Sequence, residues 1–216
     1  MPDADLNIAD IRKDYSLAAL TEETAGHDPL SYFRQWFTEA EQAQITEINA
    51  MTLATTDAQH RPHARIVLLK GLDDKGFVFY TNYDSAKGLE IQANPQVALV
   101  FFWKELERQV RIEGRIEKVS PAESDTYFHS RPAGSQIGAW ASPQSTPITD
   151  RDILDVNYNR YEKEFSAIEI PRPAHWGGYR VIPDHVEFWQ GRSSRMHDRI
   201  LFSLTNGSWQ RSRLAP

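Results

Sequence analysis

At 216 residues, with 40% hydrophobic and 11% aromatic content, the chain is long enough for one sizeable domain, and its apolar runs fall short of a bilayer span. A net charge of −6 argues against general nucleic-acid binding, which needs a basic footprint. The absence of cysteine excludes disulfides, thiolate nucleophiles and thiolate metal sites, so redox chemistry would need a borrowed cofactor. The acidic start, Met1-Pro2-Asp3-Ala4-Asp5, lacks the basic and apolar regions of a secretory signal, and a cytoplasmic location is expected.

Residues 1–28 are polar and irregular apart from a short helical pattern over residues 8–15, and read as a mobile arm able to fold over a site. Asp28-Pro29 is a helix start, an N-cap acid followed by proline at the first position, and the helix should end near Gln44. From Ala50 to Val119 short alternating or apolar runs predict five strands: 51–56, 63–70, 77–82, 97–103 and 107–119. A helix over 85–94 interrupts them, and Asp73-Asp74-Lys75-Gly76 reads as a hairpin turn. Helices are expected over 121–130 and 150–167 with a polar loop between, then strands at 178–182, 186–190, 200–204 and 208–214. The pattern is mainly β with flanking helices, an antiparallel barrel or sandwich in one domain over 29–216.

Positive charge is concentrated locally. Between Trp189 and Arg199 stand Arg192, Arg195, His197 and Arg199, a flat aromatic with guanidinium forks and one group that titrates near neutrality, suited to a phosphorylated aromatic ligand. Arg195 and His197, two apart in an extended loop, would share a side, whereas Arg192 reads equally well as a solvated loop charge. Arg65-Ile66-Val67-Leu68-Leu69-Lys70 is either a buried strand with solvated ends or a ligand-binding strand, and alternation sets Arg65 and Lys70 on opposite faces. Asp84-Ser85-Ala86-Lys87-Gly88 opens a helix whose amides and lysine suit a phosphate, or it is a plain cap. Tyr127, Arg131 and Ser135 line up a phenol, a guanidinium and a hydroxyl around a helix end, while His129 reads as structural. The seven histidines are scattered, so no metal site is expected, and no nucleotide-binding glycine loop or serine-nucleophile elbow occurs.

These segments, with Phe79-Tyr80-Thr81-Asn82, Glu107-Arg108-Gln109, Ser135-Gln136-Ile137-Gly138-Ala139-Trp140, Trp189-Gln190-Gly191 and Arg213-Leu214-Ala215-Pro216, closely resemble the pyridoxamine 5′-phosphate oxidase family nearly end to end. The resemblance implies an FMN-binding split barrel and a homodimer with FMN at the subunit interface. It also implies oxidation of pyridoxamine or pyridoxine 5′-phosphate by O2 to pyridoxal 5′-phosphate and hydrogen peroxide, with hydride passing from substrate C4′ to flavin N5. It assigns Arg65, Ile66, Val67, Leu68, Leu69, Lys70, Tyr80, Thr81, Lys87, Gln109, Gln144, Ser145, Trp189 and Arg199 to the flavin. Lys70, Tyr127, Arg131 and Ser135 would hold the substrate phosphate, Arg195 and His197 would be catalytic against the pyridine ring, and Arg12 and Tyr15 would close over the substrate as a lid. Ala86 stands where the family usually carries arginine, Met196 where leucine is usual, and Thr21-Glu22-Glu23 where some relatives are basic. Competing expectations are another split-barrel flavin oxidoreductase and a non-catalytic carrier of FMN or pyridoxal phosphate.

Overall fold

The computed structural model describes Ile8, Ile11 and residues 13–216. Arg12 lies outside the described residues. The chain divides into two compact units, one formed by Asn49–Phe101 and Ile112–His185, the other by the described residues up to Ile48 with Phe102–Arg111 and Val186–Pro216.

An antiparallel sheet runs β2 (Pro62–Leu68), β1 (Ala50–Thr56), β5 (Gln96–Trp103), β6 (Arg108–Lys118), β7 (Trp176–Gln190), β4 (Phe77–Asn82) and β3 (Gly71–Leu72). Register is explicit at β1, where Leu53 faces Arg65 on one side and Leu99 on the other, and at β4, where Tyr80 faces Gly178. The core is Leu53, Phe77, Phe79, Leu99, Phe101, Phe128 and Val181, all fully buried. Helix α3 (Ala86–Ala93) is capped by Ser85, whose side chain accepts from Gly88 N–H, and α4 (Pro121–Ser130) by Ser120 in the same manner. Helices α5 (Ala133–Ala141) and α6 (Asp152–Glu164) pack on each other.

In the second unit α1 (Glu22–Ala25) carries a Thr21 capping box, and α2 (Pro29–Gln42) has Asp28 accepting from the Leu30 and Ser31 amides. Strands β8 (Asp198–Thr205) and β9 (Ser208–Arg213) form a hairpin in which Ile200 faces Arg213. Tyr32, Trp36 and Phe202 close around Phe188 at ring separations of 4.7, 5.2 and 5.9 Å.

The mainly antiparallel β architecture with flanking helices is as expected. Four local expectations are corrected. Strand β2 stops at Leu68, leaving Leu69 and Lys70 outside it, because the Lys70 amide turns to the Val78 carbonyl at 2.8 Å. The expected polar loop after α4 contains a helix, α5. The two strands expected on either side of Pro183 are one 15-residue strand, β7. Residues 13–15 are not helical. No helix of the described residues is long and apolar enough to cross a membrane.

Candidate active site

The first unit holds a cavity of about 500 Å³ whose lining includes Lys70, Lys87 and Arg131 and no carboxylate. Edge strand β2 gives one wall through Ile66, Val67 and Leu68; Ile66 is 64% exposed, so the apolar run of this strand is not buried core. An edge strand also offers backbone donors and acceptors that no neighbour pairs. The opposite wall is aromatic. Tyr80 stacks on Tyr127 at 3.8 Å and on Trp176 at 5.6 Å, and the Arg131 guanidinium lies 4.6 Å from the Trp176 ring. Tyr80 can approach β7 because Gly178 lacks a side chain: a Cβ there would sit 2.7 Å from Tyr80 Cε1.

Lys87 is held at the start of α3, donating to Ser85 Oγ and Gln144 Oε1 at 3.1 Å and to Thr81 Oγ1 at 3.2 Å. These are neutral acceptors, so its charge is solvated but not cancelled. Burial pushes the Lys87 ammonium below its ordinary range and the Arg65 charge adds to this, with Glu90 opposing. Burial likewise lowers Arg131 and raises Tyr127. Tyr80 is pushed up to about 12, first by burial and then by Glu123 and Tyr127. Arg131 donates to the Ser135 carbonyl at 2.8 Å, but its Nη1 is buried with no hydrogen-bond partner. A buried guanidinium nitrogen without an acceptor is costly, and an anionic oxygen supplied by a ligand would satisfy it.

Lys70, Tyr80, Thr81, Lys87, Tyr127, Arg131, Ser135 and Gln144 are therefore brought together with residues 66–68. Arg65, Leu69, Gln109, Ser145, Trp189 and Arg199 do not line this cavity. Arg65 turns to buried Glu90 at 2.8 Å and to Thr55, and Leu69 is buried. Ser145 has a left-handed backbone, φ 70°. Arg199 is clamped by Glu187 at 2.8 and 3.1 Å and donates to the Ala215 carbonyl at 2.8 Å, so the C-terminal tail positions it. Lining residues missed in the sequence are Asn82, Gly138, Ala139, Ser142 and Trp176. The run Trp176-Gly177-Gly178 was the available signal, an aromatic beside two positions that admit close approach.

The second unit holds a cavity of about 420 Å³ lined by Lys13, Asp14, Tyr15, Arg192, Ser194, Arg195 and His197 together with Ile11. Arg195 and His197 do share it. Arg192 is not a merely solvated charge: its guanidinium pairs with Asp198 at 3.1 Å and its amide donates to His197 Nδ1 at 3.1 Å. Ser194 and Arg195 both have left-handed φ, 55° and 60°, a strained arrangement for consecutive non-glycine residues. Met196, between Arg195 and His197, is 67% exposed. Tyr15 lines this cavity with its ring 5.8 Å from Trp189 and 6.0 Å from His197. A Cβ at Gly191 would lie 2.8 Å from the Tyr15 ring, so glycine is needed for this contact. The segment carrying Tyr15 is tied down by buried Glu107, which accepts from Ser16 N at 2.8 Å and Leu17 N at 3.1 Å and pairs with Lys13 at 3.3 Å.

An antiparallel split barrel with one cation-rich, aromatic-walled cavity and one arginine–histidine cavity defines a class of protein whose donor sets suit anionic aromatic molecules. Residues 37–164 match the family model described as pyridoxamine 5′-phosphate oxidase, and residues 176–216 match the pyridoxine 5′-phosphate oxidase C-terminal dimerisation region. A pyridoxine/pyridoxamine 5′-phosphate oxidase of Synechocystis is 54% identical over 211 residues, 98% of this chain and 99% of that one. One of Trichormus variabilis is 56% identical over 213 residues, 98% of this chain and 100% of the other. Among solved structures, PhzG of Burkholderia lata, in complex with tetrahydrophenazine-1-carboxylic acid, superposes with a TM-score of 0.87 at 27% identity, covering 93% of this chain and all of that one. The chain belongs to the pyridoxamine 5′-phosphate oxidase family, and its fold is that family's split barrel.

Proposed function

We propose that this chain is an FMN-dependent oxidase that converts pyridoxamine and pyridoxine 5′-phosphate to pyridoxal 5′-phosphate, with O2 as final electron acceptor and hydrogen peroxide as co-product. The observation that carries the reading is the carboxylate-free cavity with Lys70, Lys87 and the unsatisfied Arg131 Nη1 beside a stacked aromatic wall. Such a donor set fits the phosphates of FMN and of the substrate. Residues 66–68, Tyr80, Thr81, Lys87 and Gln144 would hold the flavin, and Lys70, Tyr127, Arg131 and Ser135 the substrate phosphate. FMN held by these residues would supply the two-electron redox chemistry that the cysteine-free chain lacks. The protein contributes alignment, charge and exclusion of water.

Gln109, Trp189, Arg195, His197 and Arg199 are absent from the lining of that cavity, and the last four fall within the matched dimerisation region. In our reading a second copy supplies them, so each site is composite, with FMN at the homodimer interface. Tyr15, and Arg12 three residues before it in sequence, would close over the substrate.

The test is anaerobic addition of pyridoxamine 5′-phosphate to the flavin-loaded protein. The expected result is bleaching of the visible flavin band, return of colour on admitting air, and stoichiometric pyridoxal 5′-phosphate. A loaded protein that stays yellow would discard the oxidase in favour of another flavin enzyme or a carrier.

A further inference from the structure

We propose that His197 serves the substrate as a hydrogen-bond donor through Nε2, in a tautomer fixed by its own loop, and that Asp198 is the positioning residue that holds this loop. The inference rests on the reading that the Arg195–His197 loop meets the substrate.

A neutral imidazole carries one donor and one acceptor nitrogen. A backbone N–H can only donate, so the 3.1 Å contact from Arg192 N–H occupies the Nδ1 lone pair and leaves the proton on Nε2. The Nε2–H tautomer has no lone pair to offer a ligand. His197 can therefore donate to an anionic oxygen of the substrate but cannot take the proton released from its amine or alcohol. Packing on Trp189 at a ring separation of 4.6 Å, with Tyr15 on the cavity side, opposes the ring flip that would exchange the two nitrogens.

The arrangement depends on where the Arg192 amide points. The successive left-handed residues Ser194 and Arg195 turn the chain back so that residue 197 meets the amide of residue 192. Arg192 is itself anchored through its guanidinium to Asp198 Oδ2 at 3.1 Å. The same carboxylate accepts from Leu20 N at 3.1 Å and from Arg213 Nη1 at 2.8 Å, which joins the loop to the segment before α1 and to β9. Asp198 does not itself line the cavity; its carboxylate bonds the lining residue Arg192, so its effect on substrate passes through the loop.

The flavin-loaded protein, labelled with nitrogen-15 at histidine, tests this by two-bond correlation spectroscopy at mildly alkaline pH, with His197 assigned by loss of its signal in His197→Gln. The expected pattern is a fixed Nε2–H tautomer with Nδ1 as acceptor. An Nδ1–H or averaging pattern overturns the assignment. Asp198→Asn should convert the fixed pattern to an averaging one with the flavin spectrum unchanged; persistence of the fixed pattern removes Asp198 from the proposal. In turnover, His197→Gln keeps a donor where Nε2–H stood and should hold KM for pyridoxamine 5′-phosphate within about tenfold, whereas His197→Leu should raise it on the order of a hundredfold. Equal collapse of kcat in both variants would make His197 the proton acceptor and sink the idea. The spectroscopic arm needs no turnover, so failure of the oxidase reading and failure of this inference are separable.

Discussion

Ala86 is the exposed first residue of α3, adjacent in sequence to the half-buried Lys87. Where a guanidinium could meet a phosphate at this helix start, the chain offers a methyl group. One charge-assisted contact is worth about 1–3 kcal/mol, or roughly one to two decades of affinity. Ala86→Arg should tighten FMN binding by that margin, read as the dissociation constant by fluorescence quenching; an unchanged constant would show that other cations already serve the phosphate. At this scale the cavity lining was legible wherever side-chain chemistry is distinctive, as at Lys87, Tyr127, Arg131 and Ser135. It was illegible where the contribution is backbone or shape, as at Gly138 and Ala139. Arg65 shows why a charge in sequence is not yet a ligand contact: 21% exposure of its side chain and the Glu90 carboxylate commit it elsewhere in this structure.

The segment leading from Lys13 to Leu17 depends on one carboxylate. Burial alone would raise the Glu107 pKa, but the Leu17 and Ser16 amides and Lys13 together outweigh it and hold the carboxyl below the usual range. A depressed folded pKa means the stabilisation is fully present above the unfolded value and is lost as pH falls through the folded one. Amide exchange at Ser16 and Leu17, corrected for intrinsic rate, should therefore show protection at neutral pH that disappears in acid. Glu107→Gln should remove it at neutral pH, and protection that ignores both changes would place the anchor elsewhere. Elements were readable from sequence where caps and alternation agree, as for α2 and β4. Helix α5 was hidden by Pro132, Gly134 and Gly138, which signal a loop although the helix forms against α6. Strand β7 was split in the reading by Pro183, which lacks a donor; it lies beyond Val181, the last residue paired with β4, where the lost donor spares that ladder.

For the whole molecule, the proposed composite site makes a sharp demand on the homodimer. Arg131→Leu and Arg195→Leu should each be inactive alone. Co-refolded in equal amounts, half the dimers would be mixed and each mixed dimer would keep one intact site, giving roughly a quarter of wild-type activity. No recovery on mixing would mean that one protomer builds its own site. The same assembly has an unusual sulfur inventory: no cysteine and three methionines, of which Met51 is buried and Met196 stands open between Arg195 and His197. With hydrogen peroxide as the proposed co-product, the chain carries no thiol for it to consume. Among the described residues the exposed thioether is Met196, in the loop proposed to meet the substrate, where oxidation would put a polar sulfoxide that methionine sulfoxide reductases can reverse.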